Sequence, residues 1–231
     1  MIGVYDYTVV TTYSSLISGV TGIIISMTGV GHPDLGIFFL MACGILDAFD
    51  GKIARTKKDR SEFEKNFGIQ IDSLADLVCF GVLPASIGLA QLRINGRFTE
   101  LVSRRNYEGN FLILILLLTI AIFYVLAALI RLAYFNATSD IREEEAAETG
   151  VTYYIGLPVT SSALIFPLVM AAHFFTKWDF TVLYFIVMLF NAILFVLNIK
   201  VRKPGKIGLT IIILIGILEL VTNLIAFFKF A

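Results

Sequence analysis

The sequence predicts an all-α integral membrane protein, and three observations lead to that fold class. The 231 residues are 58% hydrophobic, and the mean hydropathy of +0.85 lies far above the range of soluble domains. Several apolar windows reach the roughly 20 residues that a membrane helix needs. Polar residues collect in short segments between those windows. We therefore expect residues 1–231 to form a single transmembrane domain.

Seven apolar windows are candidate membrane spans. In chain order they are Thr8–Val30, Leu35–Arg55, Gly68–Gln91, Phe111–Leu129, Ile155–Phe175, Phe180–Ile199 and Ile207–Phe228. Small or acidic residues interrupt the first three windows, whereas the last four are cleaner. The N-terminus has neither a basic region nor a small-residue cleavage site, so we expect the first span to be retained.

Charge sets the expected orientation. The polar segments Lys52–Asn66, Asn136–Tyr154 and Lys200–Lys206 would share one side of the membrane and, with Arg131, hold two thirds of the 18 Lys and Arg residues. The positive-inside rule makes that side cytoplasmic. On the other side, Asn95–Tyr107 is either a loop or a short interfacial helix. The acidic Asp140–Glu148 is expected to be a solvated loop or a short surface helix.

Composition also limits the partners. The formal net charge is zero, which argues against bulk binding of nucleic acid. The two cysteines, Cys43 and Cys79, both lie inside predicted spans. We expect them to be small core residues rather than a disulfide.

Four acidic residues occupy helices that are otherwise apolar. Asp47 and Asp50 are three residues apart and Asp72 and Asp76 are four apart, so each pair shares one face of its helix. An ionised carboxylate at membrane depth costs about 2.5–3.5 kcal/mol, so cations must compensate. Lys52 and Arg55 are two candidates. Bound divalent ions suit four clustered carboxylates better, and hard oxygen ligands favour Mg²⁺ or Mn²⁺.

Small and basic residues accompany these acids. Gly51 and Ala54 leave room beside the first pair, Gly68 extends the face of Asp72, and Arg55 can hold a phosphate oxygen bidentately. Taken singly, the acids could be interfacial and the glycines could serve helix packing. Four nearby cations, Lys57, Lys58, Arg60 and Lys65, are best explained by the positive-inside rule. The whole set together predicts phosphoryl-transfer chemistry.

The pattern D-x-x-D-G-x-x-A-R from Asp47 to Arg55, followed by G-x-x-x-D-x-x-x-D from Gly68 to Asp76, resembles the motif of the CDP-alcohol phosphotransferase family. Twelve residues separate Arg55 from Gly68 here, against eight in the common pattern. The added residues fall within Thr56–Phe67, which we expect to be a polar connection. The resemblance implies six core membrane helices, with a seventh span added at one end. It also implies a homodimer in the bacterial plasma membrane and a catalytic cavity that faces the cytoplasm and the lipid.

Three further stretches, "GIQIDSLADLVCFGVLPA", "RLAYFN" and "YYIGLPVTSSALIFP", resemble the bacterial phosphatidylserine synthase branch of that family. This resemblance implies that CDP-diacylglycerol donates a phosphatidyl group to L-serine and that CMP leaves. By the same resemblance, Asp47, Asp50, Asp72 and Asp76 hold two divalent cations, and Asp76 is also the general base. Gly51 and Ala54 would then lie against the nucleotide.

The carboxylate of serine calls for a cation, and Arg131 is the best-placed candidate, with Asn136 one to two turns beyond. Alternatively, Arg131 only extends to the membrane interface. Tyr153, Tyr154 and the turn at 156–158 either cover the cavity or form an aromatic belt and a helix start. We expect Glu219 to have a structural or dimer-contact role.

Two other functions stay open at this point. Another acceptor, such as glycerol 3-phosphate, inositol phosphate or choline, fits the same motif. A phosphorylated acceptor would need more cations near the acids than Arg55 and Arg131. A cation transporter is the alternative from a different class. The sequence has no paired hydrophobic halves of the kind that transporters often show.

Overall fold

The computed structural model describes residues 2–28, 33–94, 111–149, 153–176, 179–202 and 205–230. Each of the seven predicted spans contains a helix. The helices are α1 (Val10–Thr28), α2 (Pro33–Ala54), α3 (Glu62–Asp76), α4 (Leu83–Ile94), α5 (Phe111–Ala137), α6 (Ser139–Thr149), α7 (Ser162–Thr176), α8 (Thr181–Val196) and α9 (Lys206–Phe230). A π-helical turn, Leu77–Val82, joins α3 to α4, and a 3₁₀ turn, Val159–Ser161, leads into α7. The segment Asn95–Tyr107 lies outside the described residues.

The helices have the lengths and compositions of membrane spans. Four are long and apolar enough to cross a bilayer, namely α1, the continuous helix Glu62–Ile94, α5 and the Thr210–Lys229 part of α9. Two shorter apolar helices, α7 and α8, accompany them. α2 has 22 residues and carries acidic residues near its C-terminal end. The expectation of an all-α integral membrane protein is confirmed.

The start of α3 differs from the expectation. Ser61 caps the helix through a capping box, because its hydroxyl accepts from the Glu64 N–H while the Glu64 carboxylate accepts from the Ser61 N–H. The helix therefore begins at Glu62. The prediction of a polar connection over Thr56–Phe67 is wrong for its second half, and the link between α2 and α3 is only residues 55–61.

The centre of the bundle is held by a hydrogen bond that a proline makes available. Pro84 has no N–H, so the carbonyl of Phe80 lacks its α-helical donor. The buried Tyr124 hydroxyl on α5 donates to this oxygen at 2.6 Å. The same hydroxyl lies 2.7 Å from the Ser162 hydroxyl on α7. Three elements thus meet at one buried phenol.

The ends of the helices fall on two sides of the bundle. At one end, β1 (Tyr153–Ile155) pairs antiparallel with β2 (Lys200–Arg202). At the opposite end, the Arg93 guanidinium donates to the Met27 carbonyl. The strand pair was not predicted. The helical span expected from Ile155 begins inside β1, and the span expected to Ile199 ends directly before β2, whereas α7 begins at Ser162 and α8 ends at Val196. Gly156, which comes directly after β1, has a φ of +76°, a conformation that favours glycine.

Polar groups inside the bundle have structural partners. Cys43 and Cys79 are free thiols with no exposed area, and both donate to the Ser15 carbonyl, at 3.4 and 3.3 Å. Their expected core role is confirmed. Asn223 donates to the Pro167 carbonyl at 3.4 Å, which links α9 to α7, and Glu219 on the same helix is 7% exposed. This burial agrees with a structural role for Glu219.

Candidate active site

Two helices bring three carboxylates together. Oxygen atoms of Asp47 and Asp50 on α2 and of Asp72 on α3 lie within 4.8 Å of one another. All three side chains are half-buried. Asp76 lies one helical turn beyond Asp72 and, within the described residues, is not a member of this closest group. The predicted convergence of the acids therefore occurs for Asp47, Asp50 and Asp72.

The nearest basic side chains do not neutralise these acids. Lys52 places its ammonium 5.6 Å from the centre of the Phe49 ring. Arg55 is exposed, with one terminal nitrogen 3.9 Å from the point where a Cβ on Gly51 would lie. Among the described residues, none of the four carboxylates forms an ion pair. Clustered carboxylates without cations are costly, and three converging hard oxygen ligands fit a divalent ion such as Mg²⁺ or Mn²⁺.

The helix geometry changes immediately after the acids. α3 ends at Asp76, and the next six residues form the π-helical turn. Such turns are uncommon and often occur at functional sites. The helix continues through this turn as α4, most of whose residues are buried.

A cleft opens beside the three carboxylates, with a cavity volume of about 140 Å³. Its walls come from the start of α1, the end of α2, the connection to α3 and the first half of α3. The lining residues are Thr8, Val9, Thr12, Asp50, Gly51, Ala54, Arg60, Lys65, Gly68, Ile69 and Asp72. The lining includes two acidic side chains, Asp50 and Asp72, and two basic side chains, Arg60 and Lys65. Such a cleft suits an anionic group that metal ions link to the acids.

The predicted small residues all border this cleft. Gly51, Ala54 and Gly68 are among its lining residues, whereas the exposed Arg55 is not. A Cβ on Gly68 would lie 2.6 Å from a terminal nitrogen of Arg60, so the Arg60 guanidinium covers that glycine. From the sequence, only the positive-inside rule accounts for Arg60 and Lys65. Their place in the cleft depends on the three-dimensional path of the connection, which residue spacing along the chain does not predict.

Lys57 forms two ion pairs that join segments next to the cleft. Its ammonium lies 2.7 Å from an Asp6 carboxylate oxygen, before α1, and 2.6 Å from a Glu64 carboxylate oxygen, at the start of α3. The Asp6 carboxylate also accepts from the Thr8 N–H at 2.9 Å. These contacts, the Lys57 pairing above all, lower the pKa of Asp6 to about 2. The N-terminal segment is thus held beside the connection that carries Arg60.

The two predicted acceptor residues lie in different surroundings. Asn136 donates to the Ser73 hydroxyl at 2.8 Å, and Ser73 comes directly after Asp72, so Asn136 reaches the acidic helix. Arg131 is only 5% exposed and donates through Nε to the Leu157 carbonyl at 3.2 Å. The alternative in which Arg131 extends to the membrane interface is therefore wrong. Its contact instead ties α5 to the turn at 156–158.

The sequence matches known proteins over most of its length. The family model for CDP-alcohol phosphatidyltransferases matches residues 8–197. Similar curated proteins are named CDP-diacylglycerol–serine O-phosphatidyltransferase. The relative from Saccharomyces cerevisiae is 32% identical over 163 residues, which cover 69% of this chain and 51% of that protein. The relative from Helicobacter pylori strain 26695 is 32% identical over 134 residues, covering 55% of this chain and 44% of that protein.

A relative from Methanocaldococcus jannaschii is 27% identical over 157 residues, covering 68% of this chain and 57% of that protein. The chain thus spans about half the length of the curated relatives it matches. The family match contains all four acids, the glycines beside them and both acceptor candidates. Taken with the carboxylates that α2 and α3 bring together, this match shows that the chain belongs to the CDP-alcohol phosphatidyltransferase family.

Proposed function

We propose that this chain transfers a phosphatidyl group from CDP-diacylglycerol to the hydroxyl of L-serine, giving phosphatidylserine and CMP. The observation that carries the proposal is the group of three half-buried carboxylates, Asp47, Asp50 and Asp72, which two helices bring together and which form no ion pair with any described side chain. The names of the relatives support serine as the acceptor.

The reaction makes one bond and breaks another at a single phosphorus atom. The serine oxygen attacks the phosphorus that bears diacylglycerol, and the bond from that phosphorus to the bridging oxygen of CMP breaks. Asp76 accepts the proton of the serine hydroxyl as general base. Its position one turn beyond Asp72 suits this role, because the attacking oxygen can approach beside the acids that would hold the divalent ions.

The four acids are proposed to hold two divalent ions, Mg²⁺ or Mn²⁺, which when bound neutralise charge on the entering and leaving oxygens. Gly51 and Ala54 line the cleft and leave space for the nucleotide to approach the backbone. Gly68 also lines the cleft but lies under the Arg60 guanidinium, which is proposed to meet the phosphate there. Arg55, exposed at the end of α2, is placed to meet a phosphate oxygen at the mouth of the cleft.

Asn136 and Arg131 are proposed to receive serine. Asn136 lies beside Ser73 on the acidic helix, where its amide can orient the amino acid next to Asp76. Arg131 is buried at a turn on the same end of the bundle, and its guanidinium is the group proposed to meet the carboxylate of serine.

The setting of the reaction is part of the proposal. We place the protein in a bacterial plasma membrane with the cleft facing the cytoplasm, because most of the Lys and Arg residues that the structure describes lie at that end. Membrane lipids then surround the exposed apolar faces of α5 and α9. We also expect a homodimer, as the family resemblance implies.

The test is CMP release from CDP-diacylglycerol by the purified protein in detergent with MgCl₂ or MnCl₂. L-serine, glycerol 3-phosphate, inositol phosphate and choline are supplied one at a time. We expect release with serine, and none when a chelator removes the divalent ions. Release with a different alcohol alone overturns the choice of serine. Turnover that survives the chelator overturns the role of the acids, and no turnover with any alcohol leaves a cation pathway as the better explanation.

A further inference from the structure

Arg60 lies in the part of the chain where this protein is longer than the common family pattern. It belongs to the connection between α2 and α3, five residues beyond the motif arginine, Arg55. The motif therefore assigns Arg60 no role. The structure nevertheless makes it a wall of the cleft, whereas Arg55 is not among the lining residues.

The Arg60 guanidinium is held over Gly68 by one backbone contact. A terminal nitrogen donates to the Glu64 carbonyl at 3.1 Å, in the first turn of α3. That turn is itself fixed by the Ser61 capping box and by the Lys57 ion pair. The side chain is thus positioned before any ligand arrives, which lowers the entropy lost on binding.

One donor of this guanidinium remains unused. The Arg60 Nε–H is buried and, within the described part of the chain, has no hydrogen-bond acceptor. A buried charged donor without a partner is destabilising, and a phosphate is the group whose oxygens match the guanidinium fork. Asp50 and Asp72 line the same cleft, so a phosphate linked to them by metal ions would lie between the acids and Arg60.

We propose that Arg60 is a substrate-binding residue that contacts the phosphate group of the nucleotide, shared by the CDP-lipid donor and by CMP. This inference rests on the proposed function for the identity of the nucleotide. It adds Arg60, which lies outside the family motif, to the residues that bind the phosphate. It also gives a role to the two ion pairs of Lys57, which join the connection to the N-terminal segment and to α3.

The experiment measures binding of CMP and of cytidine by equilibrium dialysis, using the purified 231-residue chain with MnCl₂. Arg60→Gln should weaken CMP binding about tenfold, the range expected for one charge-assisted contact, and leave cytidine binding unchanged. Arg60→Lys keeps the charge and loses the fork, so its affinity for CMP should lie between those of the wild type and Arg60→Gln. The matched control is Lys58→Gln, an exposed cation of the same connection that does not line the cleft, and it should bind CMP normally.

Unchanged CMP binding in Arg60→Gln overturns the inference. Equal weakening of CMP and cytidine binding also overturns it, because that pattern indicates a disturbed cleft rather than a lost phosphate contact. A second test is Gly68→Ala, whose Cβ would displace the Arg60 guanidinium. The effects of Gly68→Ala and Arg60→Gln on CMP binding should not add, and full additivity contradicts the contact.

The two proposals fail differently. A wild-type protein that binds CMP in an Arg60-dependent way but releases no CMP with serine refutes the serine reaction and leaves the phosphate contact standing. Serine-dependent turnover together with an Arg60→Gln variant of normal CMP affinity refutes the contact alone. Wild-type protein that binds no CMP contradicts both the serine reaction and the phosphate contact.

Discussion

Asp76 differs from the other three acids in its place at the end of a helix. It is the last residue of α3, directly before the π-helical turn, and lies outside the closest group of carboxylates. A general base must be close to the bound ions yet able to take a proton. We expect Asp76→Asn to lower the rate of CMP release at least about 100-fold, since general bases contribute that much or more.

Initial rates with CDP-diacylglycerol and serine measure this effect, and CMP binding by the same variant shows whether the cleft is intact. Asp140→Asn is the control, because Asp140 is an exposed acid in the first turn of α6. An unchanged rate in Asp76→Asn excludes this residue as the base. A parallel loss of rate and of CMP binding assigns it to metal holding alone.

Tyr124 is the residue on which the central packing depends. Its hydroxyl satisfies the Phe80 carbonyl, which Pro84 deprives of a helical donor, and also meets Ser162. Tyr124→Phe leaves these buried groups without that partner, so the free energy of unfolding should fall by about 1–3 kcal/mol. Thermal or detergent denaturation followed by circular dichroism measures the change. Tyr134→Phe, at an exposed position on the same helix, is the control, and equal stability of the two variants contradicts this role.

At the scale of elements, the apolar windows predicted where helices occur but not where they end. α5 continues through Arg131 and Asn136 to Ala137, and α3 begins at Glu62. The first residues of α3 are mostly polar, and Arg131 and Asn136 interrupt the extension of α5, so hydropathy alone did not include these residues in the spans. The Ser61 and Glu64 spacing carried the signal for the start of α3, because a capping box is visible in the sequence.

Other elements depend on contacts between distant residues. The three-residue strands β1 and β2 exist because they pair with each other although they are far apart along the chain, and a strand this short has no periodicity to detect. The acids were predictable because their spacing is local to two helices. Arg60 was not, because a long side chain on a connection is located only by Glu64 and Lys57 around it.

Lys57 offers a test of how the connection is held. Lys57→Gln removes both ion pairs at the rim, so the melting temperature should fall by a few degrees at most, as expected for exposed pairs, and KM for the donor should rise. The pairing lowers the pKa of Asp6 to about 2 and raises that of Lys57. Because the pKa of Asp6 is lower in the folded state, this stabilisation is present above its unfolded value near 4 and is lost as the pH falls toward 2.

The difference in melting temperature between wild type and Lys57→Gln should therefore be full at pH 6 and smaller at pH 3. On the alkaline side it persists until the pH exceeds the raised pKa of Lys57. Lys58→Gln serves as the control for loss of one positive charge. A difference that stays constant between pH 6 and pH 3 contradicts the pairing with Asp6.

At the scale of the whole molecule, function depends on which side of the membrane the cleft faces. The cleft lies at the end where α2 finishes and α3 begins, and Asn136 joins the end of α5 to the same region. Thr28, at the end of α1, lies at the opposite end, where Arg93 bonds to Met27. Lys and Arg are concentrated at the cleft end, which predicts that this end is cytoplasmic.

Labelling of single introduced cysteines tests this orientation directly. Lys58 and Thr28 are both exposed, and the natural Cys43 and Cys79 have no exposed area, so background labelling should be low. In intact cells that produce the chain, a membrane-impermeant maleimide should label Thr28→Cys and spare Lys58→Cys. In inside-out vesicles Lys58→Cys should be labelled instead. The reverse pattern would place the cleft outside, away from the cytoplasmic side that the charge distribution predicts, and would refute the proposed orientation while leaving the chemistry of the acids untouched.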